Sequence, residues 1–193
     1  MMKNTLKNLL PSDQHVCPWW CCFTFDNFLR KLFHNPERIL QPYIIKGNTV
    51  LDIGPGMGYF SIPLARMVGE TGKVIAADIQ PEMLRALRRR AKRAGVEHQI
   101  ITHLSKADSL GLDTQTDFIL AFWMVHEVPN PFLFFKEVRS LLQLSGKFLL
   151  SEPILHVSQA MFEMTVKTAE SCGLILIEKP KISLSRSALF MAY

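Results

Sequence analysis

The chain reads as an α/β protein with a mostly parallel sheet, helices on both faces and an antiparallel hairpin at the C-terminal edge. Three observations predict this. From Thr49 onward, short apolar runs alternate with segments of helical period, the pattern of repeated strand–helix–strand units. The first run, Thr49-Val50-Leu51-Asp52-Ile53, opens directly into Gly54-Pro55-Gly56-Met57-Gly58, with glycines at alternate positions between strand and helix. The last two apolar runs, near 174–178 and 188–193, have no helix between them.

Taken in order, residues 1–46 differ in character from the rest and read as an N-terminal helical cap segment. Residues 47–193 form the core of the same single domain. Lys3–Leu10 makes a weak helix before Pro11, and a stretch dense in aromatic and sulfur groups follows, His15 to Phe23. Phe28, Leu29, Leu32 and Phe33 share one helical face. Asn35-Pro36-Glu37 starts a helix, with Asn35 as cap and Pro36 in the first turn. The expected core is then strand 49–53, helix 59–68, strand 73–78, and a helix from Pro81 to Ala94 closed by Gly95. Strands 98–103 and 117–122, a helix within 131–143, strand 147–151 and a helix over 158–171 lead to the final two strands.

Composition narrows the class. At 193 residues and 48% apolar content, the chain can cover both faces of a full sheet. No run approaches the ~20 apolar residues of a membrane span, and the N-terminus lacks a secretory apolar core, so a soluble cytoplasmic protein is expected. Cys17, Cys21, Cys22 and Cys172 read as thiols of a reducing compartment. The net charge of +5 permits an anionic partner without requiring one.

The glycine turn is the first candidate site. Without side chains at Gly54, Gly56 and Gly58 a ligand can lie against bare backbone, and the following helix points its N-terminus at the same place. The second apolar run, Val74 to Ala77, ends at Asp78, whose carboxylate is suited to two neighbouring ribose hydroxyls. A dinucleotide fingerprint needs glycine at position 59, which is Tyr59, and Asp52 would repel a pyrophosphate. An ammonium group is a better neighbour for Asp52. The pattern suits a nucleoside joined to an amino acid, as in S-adenosylmethionine.

At these residues the sequence resembles the class I S-adenosylmethionine-dependent methyltransferases, in particular the small-molecule group that includes the ubiquinone/menaquinone-biosynthesis enzymes. The resemblance runs from about Ile39 to the C-terminus and is most specific at 49–60 and 74–78. It implies a Rossmann-like sheet, S-adenosylmethionine as cofactor, and methyl transfer to a small-molecule acceptor by in-line displacement. Cofactor contacts are expected from Asp52, Gly54, Pro55, Gly56, Gly58 and Asp78, with Ile79 and Met83 against the adenine. Met83 also fits the helix's core face. Where the family places Gly-Asp-Ala after the third strand, this chain has Ser105-Lys106-Ala107-Asp108. Lysine has no acceptor, which leaves Asp108, or a backbone carbonyl together with the Ala107 N–H, to meet the adenine edge.

The segment Ala121-Phe122-Trp123-Met124-Val125-His126-Glu127 resembles the family's lining of the methionine end and acceptor mouth, with Phe122 and Trp123 beside the sulfonium. His126 is either the general base for an acceptor that must lose a proton or a structural histidine beside Glu127. Glu152 and His156 border the acceptor or serve the loop. His15, Cys17, Cys21 and Cys22 lack metal-ligand spacing and read as buried cap residues, with soft-ion binding as the minor reading and no metal expected. Arg85, Arg88, Arg89, Arg90, Lys92 and Arg93 read as a solvated helix face, which makes nucleic acid an unlikely partner. The alternatives are an RNA methyltransferase and a non-catalytic protein of this fold that binds a partner or metal through its cap. The motifs leave the acceptor atom and the oligomeric state open.

Overall fold

In the computed structural model residues 33–192 are described; the aromatic and cysteine-rich stretch from His15 to Phe23, and the helix expected over 3–10, lie outside them. Helix α1 (Pro36–Leu40) begins where Asn35 Oδ1 accepts the Arg38 N–H at 3.1 Å, the expected cap. There follow β1 (Thr49–Ile53), α2 (Ser61–Val68), β2 (Lys73–Asp78), α3 (Pro81–Ala94), β3 (Ile100–Leu104) and β4 (Thr116–Phe122). A short 3₁₀ turn, Val125–Glu127, precedes α4 (Pro131–Leu141), β5 (Leu142–Pro153), α5 (Gln159–Ser171), β6 (Leu174–Glu178) and β7 (Ser185–Ala192).

The strands form one seven-stranded sheet in the order β3-β2-β1-β4-β5-β7-β6. Neighbours from β3 to β5 pair in parallel, while β7 is antiparallel to both β5 and β6. The expected C-terminal hairpin is therefore present, with β7 slipped inside it and β6 at the edge. Strand order reverses between β1 and β4. That is where an open α/β sheet leaves a crevice at its strand ends.

Alternation along each strand sorts the core into two layers. Leu51, Ile53, Ile119, Ala121, Phe148 and Leu150 face α4 and α5. Val50, Val74, Ala76, Phe118, Leu120 and Leu149 face α1, α2 and α3. Helix α3 is sharply two-sided, with Met83, Leu84, Leu87 and Ala91 buried and its arginines outward. Of these, Arg85 pairs with Glu82, and Arg90 reaches back to donate to the Met57 carbonyl at 3.2 Å. Arg88 and Lys92 line a groove of about 270 Å³ with Glu97, Ile100 and Thr102, away from the strand ends. No helix among the described residues is long and apolar enough to cross a membrane.

Candidate cofactor and acceptor site

The crevice is built from the ends of β1, β2 and β4. After Ile53 the chain turns through Gly54, Gly56 and Gly58, each at positive φ. These positions do different work. A Cβ on Gly56 would meet nothing within 4 Å, so this glycine borders open space, whereas one on Gly58 would sit 3.0 Å from Leu87 Cγ. Gly58 lets the turn pack on α3, and Gly56 keeps the cradle clear. Met124, named in the sequence only as part of the segment after β4, lies across Gly54, with its Cγ 3.0 Å from where a Cβ would stand. Pro55 is buried and its carbonyl accepts the Gly58 N–H at 3.0 Å, closing the turn.

Asp78 ends β2 directly beside this turn. Its Oδ2 accepts the Gly56 N–H at 3.3 Å and its Oδ1 the Gln80 N–H at 2.9 Å. Burial pushes its pKa up to about 6, against the backbone N–H donors of Gln80, Gly56 and Ile79 that favour the charged form; the negative charge of Glu127 adds to the rise. Turn, acid and empty space are thus contiguous. Ile79, 36% exposed, stands next to it, while Met83 is only 3% exposed and packs inward from α3.

Asp52 lies beneath the turn. Strand alternation points it to the α2 side, where it is 2% exposed and accepts the Ser61 hydroxyl at 2.6 Å. It braces the helix entry beneath the turn. Beyond β3, Ser105 donates its N–H to the Asp78 carbonyl at 3.0 Å. Ala107 and Asp108 lie at the exposed tip of the small turn closed by Lys106 and Ser109.

Phe122 is 6% exposed, its ring packed against Phe60 at 4.5 Å and edge-on to His34 at 5.2 Å. Trp123 is only partly buried and stands at φ 62, an unusual conformation for a bulky residue. Its N–H donates to the Ser151 carbonyl at 2.7 Å and its indole N–H to Ser185 Oγ at 2.9 Å. His34, missed in the sequence, is 1% exposed beneath both rings and donates to the Ser183 carbonyl at 2.7 Å. The Tyr59 hydroxyl in turn donates to the His34 carbonyl at 2.6 Å.

Next along the chain, His126 Nδ1 lies 2.6 Å from Glu152 Oε2, with 21% of the imidazole side chain exposed and 2% of the glutamate's. The hydrogen bond to Glu152 holds the His126 pKa above its ordinary value; burial works against it, and the charges of Glu152 and Glu127 add to it. His126 Nε2 is 3.9 Å from Glu127 Oε1, and the His156 ring lies 5.9 Å away. Among the described residues no cluster of His, Cys, Asp or Glu has the arrangement of a metal site.

A parallel sheet with β7 inserted before the edge strand, and a glycine turn and acid at its switch point, define the class I S-adenosylmethionine-dependent methyltransferase fold. Residues 44–184 match the family model described as Methyltransferase domain, and the chain belongs to that family. A solved S-adenosylmethionine-dependent methyltransferase from Aquifex aeolicus superposes with a TM-score of 0.83 at 22% identity, over 92% of this chain and 100% of that one. Fibrillarin from Aeropyrum pernix, solved with natively bound S-adenosyl-L-methionine, shares the fold with a TM-score of 0.62 at 16% identity, over 77% of this chain and 68% of that one. The ubiquinone/menaquinone biosynthesis C-methyltransferase UbiE of Salmonella arizonae is 32% identical over 115 residues, 58% of this chain and 46% of that protein. The chain thus spans about half the length of the curated relatives it matches. The chain carries that methyltransferase domain, and its residues fit S-adenosylmethionine as cofactor: the open space at Gly56 and the acceptor oxygens of Asp78 are side by side.

Proposed function

We propose that this methyltransferase acts on a small-molecule acceptor by in-line displacement, with His126 as general base. The observation that carries the reading is the His126–Glu152 contact of 2.6 Å on the segment after β4, close in the chain to Met124, which borders the glycine turn. When bound, the cofactor supplies a methyl group on a sulfonium centre. The chain's own residues do the rest. Asp78 accepts from the ribose hydroxyls, the backbone of Gly54, Pro55, Gly56 and Gly58 floors the amino-acid end, and Asp52 contributes its charge from below. Ile79 covers one adenine face and the turn at Ala107 and Asp108 its edge. Trp123, backed by Phe122, walls the transfer zone and excludes water, with Met83 as support from α3. Alignment of this kind contributes up to ~7–11 kcal/mol to a bimolecular transfer.

The UbiE relatives, named as C-methyltransferases of ubiquinone and menaquinone biosynthesis, support a small organic acceptor. The test is transfer of label from S-adenosylmethionine to a metabolite extract, run beside an RNA arm. Label in metabolites supports the reading, and label in RNA alone overturns it. His126→Ala is expected to lower turnover by about 10²–10⁴-fold with cofactor affinity unchanged. Normal turnover at neutral pH would remove it as the base.

A further inference from the structure

The buried partner of His126 has a geometry that the cofactor site does not require. Glu152 lies near the end of β5, on the same face as Phe148 and Leu150, and the whole residue is 1% exposed. Its Oε1 accepts the Val125 N–H at 3.0 Å, and its Oε2 accepts the His126 N–H at 3.2 Å and contacts the His126 ring at 2.6 Å. Three donors thus converge on one carboxylate from a single turn of chain. An amide in its place would offer one acceptor oxygen and two unwanted donors. Both oxygens of Glu152 are therefore engaged by this turn of chain.

Several charged groups of the described residues surround the pair. Arg186 stands directly opposite Glu152 on β7, yet its guanidinium donates to Gln159 Oε1 at 3.0 Å and to the Ile154 carbonyl at 3.3 Å. Glu127 approaches the far ring nitrogen, and His156 faces the ring from the loop after β5. Among the described residues, the group in hydrogen-bond contact with the buried carboxylate that can become positive is the His126 ring. A carboxylate hidden from water needs such a partner to offset its lost hydration.

We propose that Glu152 is the positioning residue of His126: it accepts the Nδ1–H, fixes the ring, and leaves Nε2 bare as the atom that takes a proton from the acceptor. This rests on the reading of His126 as base but is separable from it. The pair sets which nitrogen carries the proton in the neutral ring, since a hydrogen bond at one nitrogen decides the tautomer. On proton transfer Nε2 gains the proton, Nδ1 keeps its own, and the positive ring is stabilised by Glu152 at contact distance.

The deciding experiment is nitrogen-15 NMR of the histidine rings in the full-length protein, with and without S-adenosylhomocysteine. In the wild type the neutral His126 ring is expected as the Nδ1–H tautomer. Finding Nε2–H there would overturn the proposal without any variant. In Glu152→Gln the His126 pKa is expected to fall and the tautomer preference to weaken, while S-adenosylhomocysteine still binds. An unchanged pKa and tautomer in that folded variant would also overturn it. Glu152→Asp is expected to restore part of both signals. If His126→Ala turned over normally while the NMR result stood, the base reading would fail and the positioning geometry would survive as a purely structural one.

Discussion

Asp78 shows how one residue couples binding to pH. Its raised pKa of about 6 means the folded carboxyl holds its proton longer than the ordinary 3.8 allows. Stability from this group is complete below that ordinary value and is lost as pH rises through about 6. Binding runs the opposite way, because ribose hydroxyls donate to the ionised form. Affinity for S-adenosylhomocysteine is expected to weaken as pH falls through 6, approaching ~10-fold per unit at the acid end, when followed by calorimetry from pH 8 to 5. Asp78→Ala should weaken it by roughly 10- to 150-fold at neutral pH. The glycines give a second contrast. Gly56→Ala is expected to abolish cofactor binding at a cost of about 1–2 kcal/mol of stability, since its strain comes from backbone alone. Gly58→Ala should cost more stability, because its Cβ also meets Leu87 at 3.0 Å. Urea titration beside calorimetry separates the two.

At the scale of elements, the periodic parts were legible from residues alone. Alternating glycines after an apolar run, Pro81 to Gly95 around α3, and Asn35 before Pro36 are local signals with local causes. Strand β5 was cut short in the sequence reading because Ser145-Gly146 has turn chemistry. The turn is there, with Ser145 at φ 64, but the ladder to β4 resumes across it, from Thr116 opposite Leu142 to Phe118 opposite Lys147. Asp52 was assigned to the cofactor from its place before the glycines. Period-two alternation in β1 also turns it toward Ser61, a partner that only packing of α2 reveals. Ser61→Ala is expected to destabilise the fold by about 1.5–3 kcal/mol, the range for a hydrogen bond to a charged group, read from the urea midpoint.

Across the whole molecule, the contacts that the sequence concealed are the long-range ones. The His126–Glu152 pair depends on the β4–β5 register, in which Phe122 sits opposite Ser151. The His34–Ser183 bond spans 149 positions and ties the stretch before α1 to the loop between β6 and β7. No composition or period announces either. His34→Ala is expected to cost about 0.5–1.5 kcal/mol for the lost hydrogen bond, since the exposed Ser183 carbonyl keeps Ser185 Oγ as a donor. It should also speed hydrogen exchange at the amides of Ile154 and Ser185, which bond to the same loop. Unchanged exchange there would mean the tie is incidental.

Trp123 carries this logic to the end of β4. Its left-handed backbone stands against an intrinsic preference of about 1–2 kcal/mol, and the indole is fastened to Ser185 on the penultimate strand of the sheet. Ser185 shares the Ser183 carbonyl with His34. The ring is therefore held by a contact anchored far along the chain, so a disturbance at the C-terminal hairpin would be felt in the segment that leaves β4.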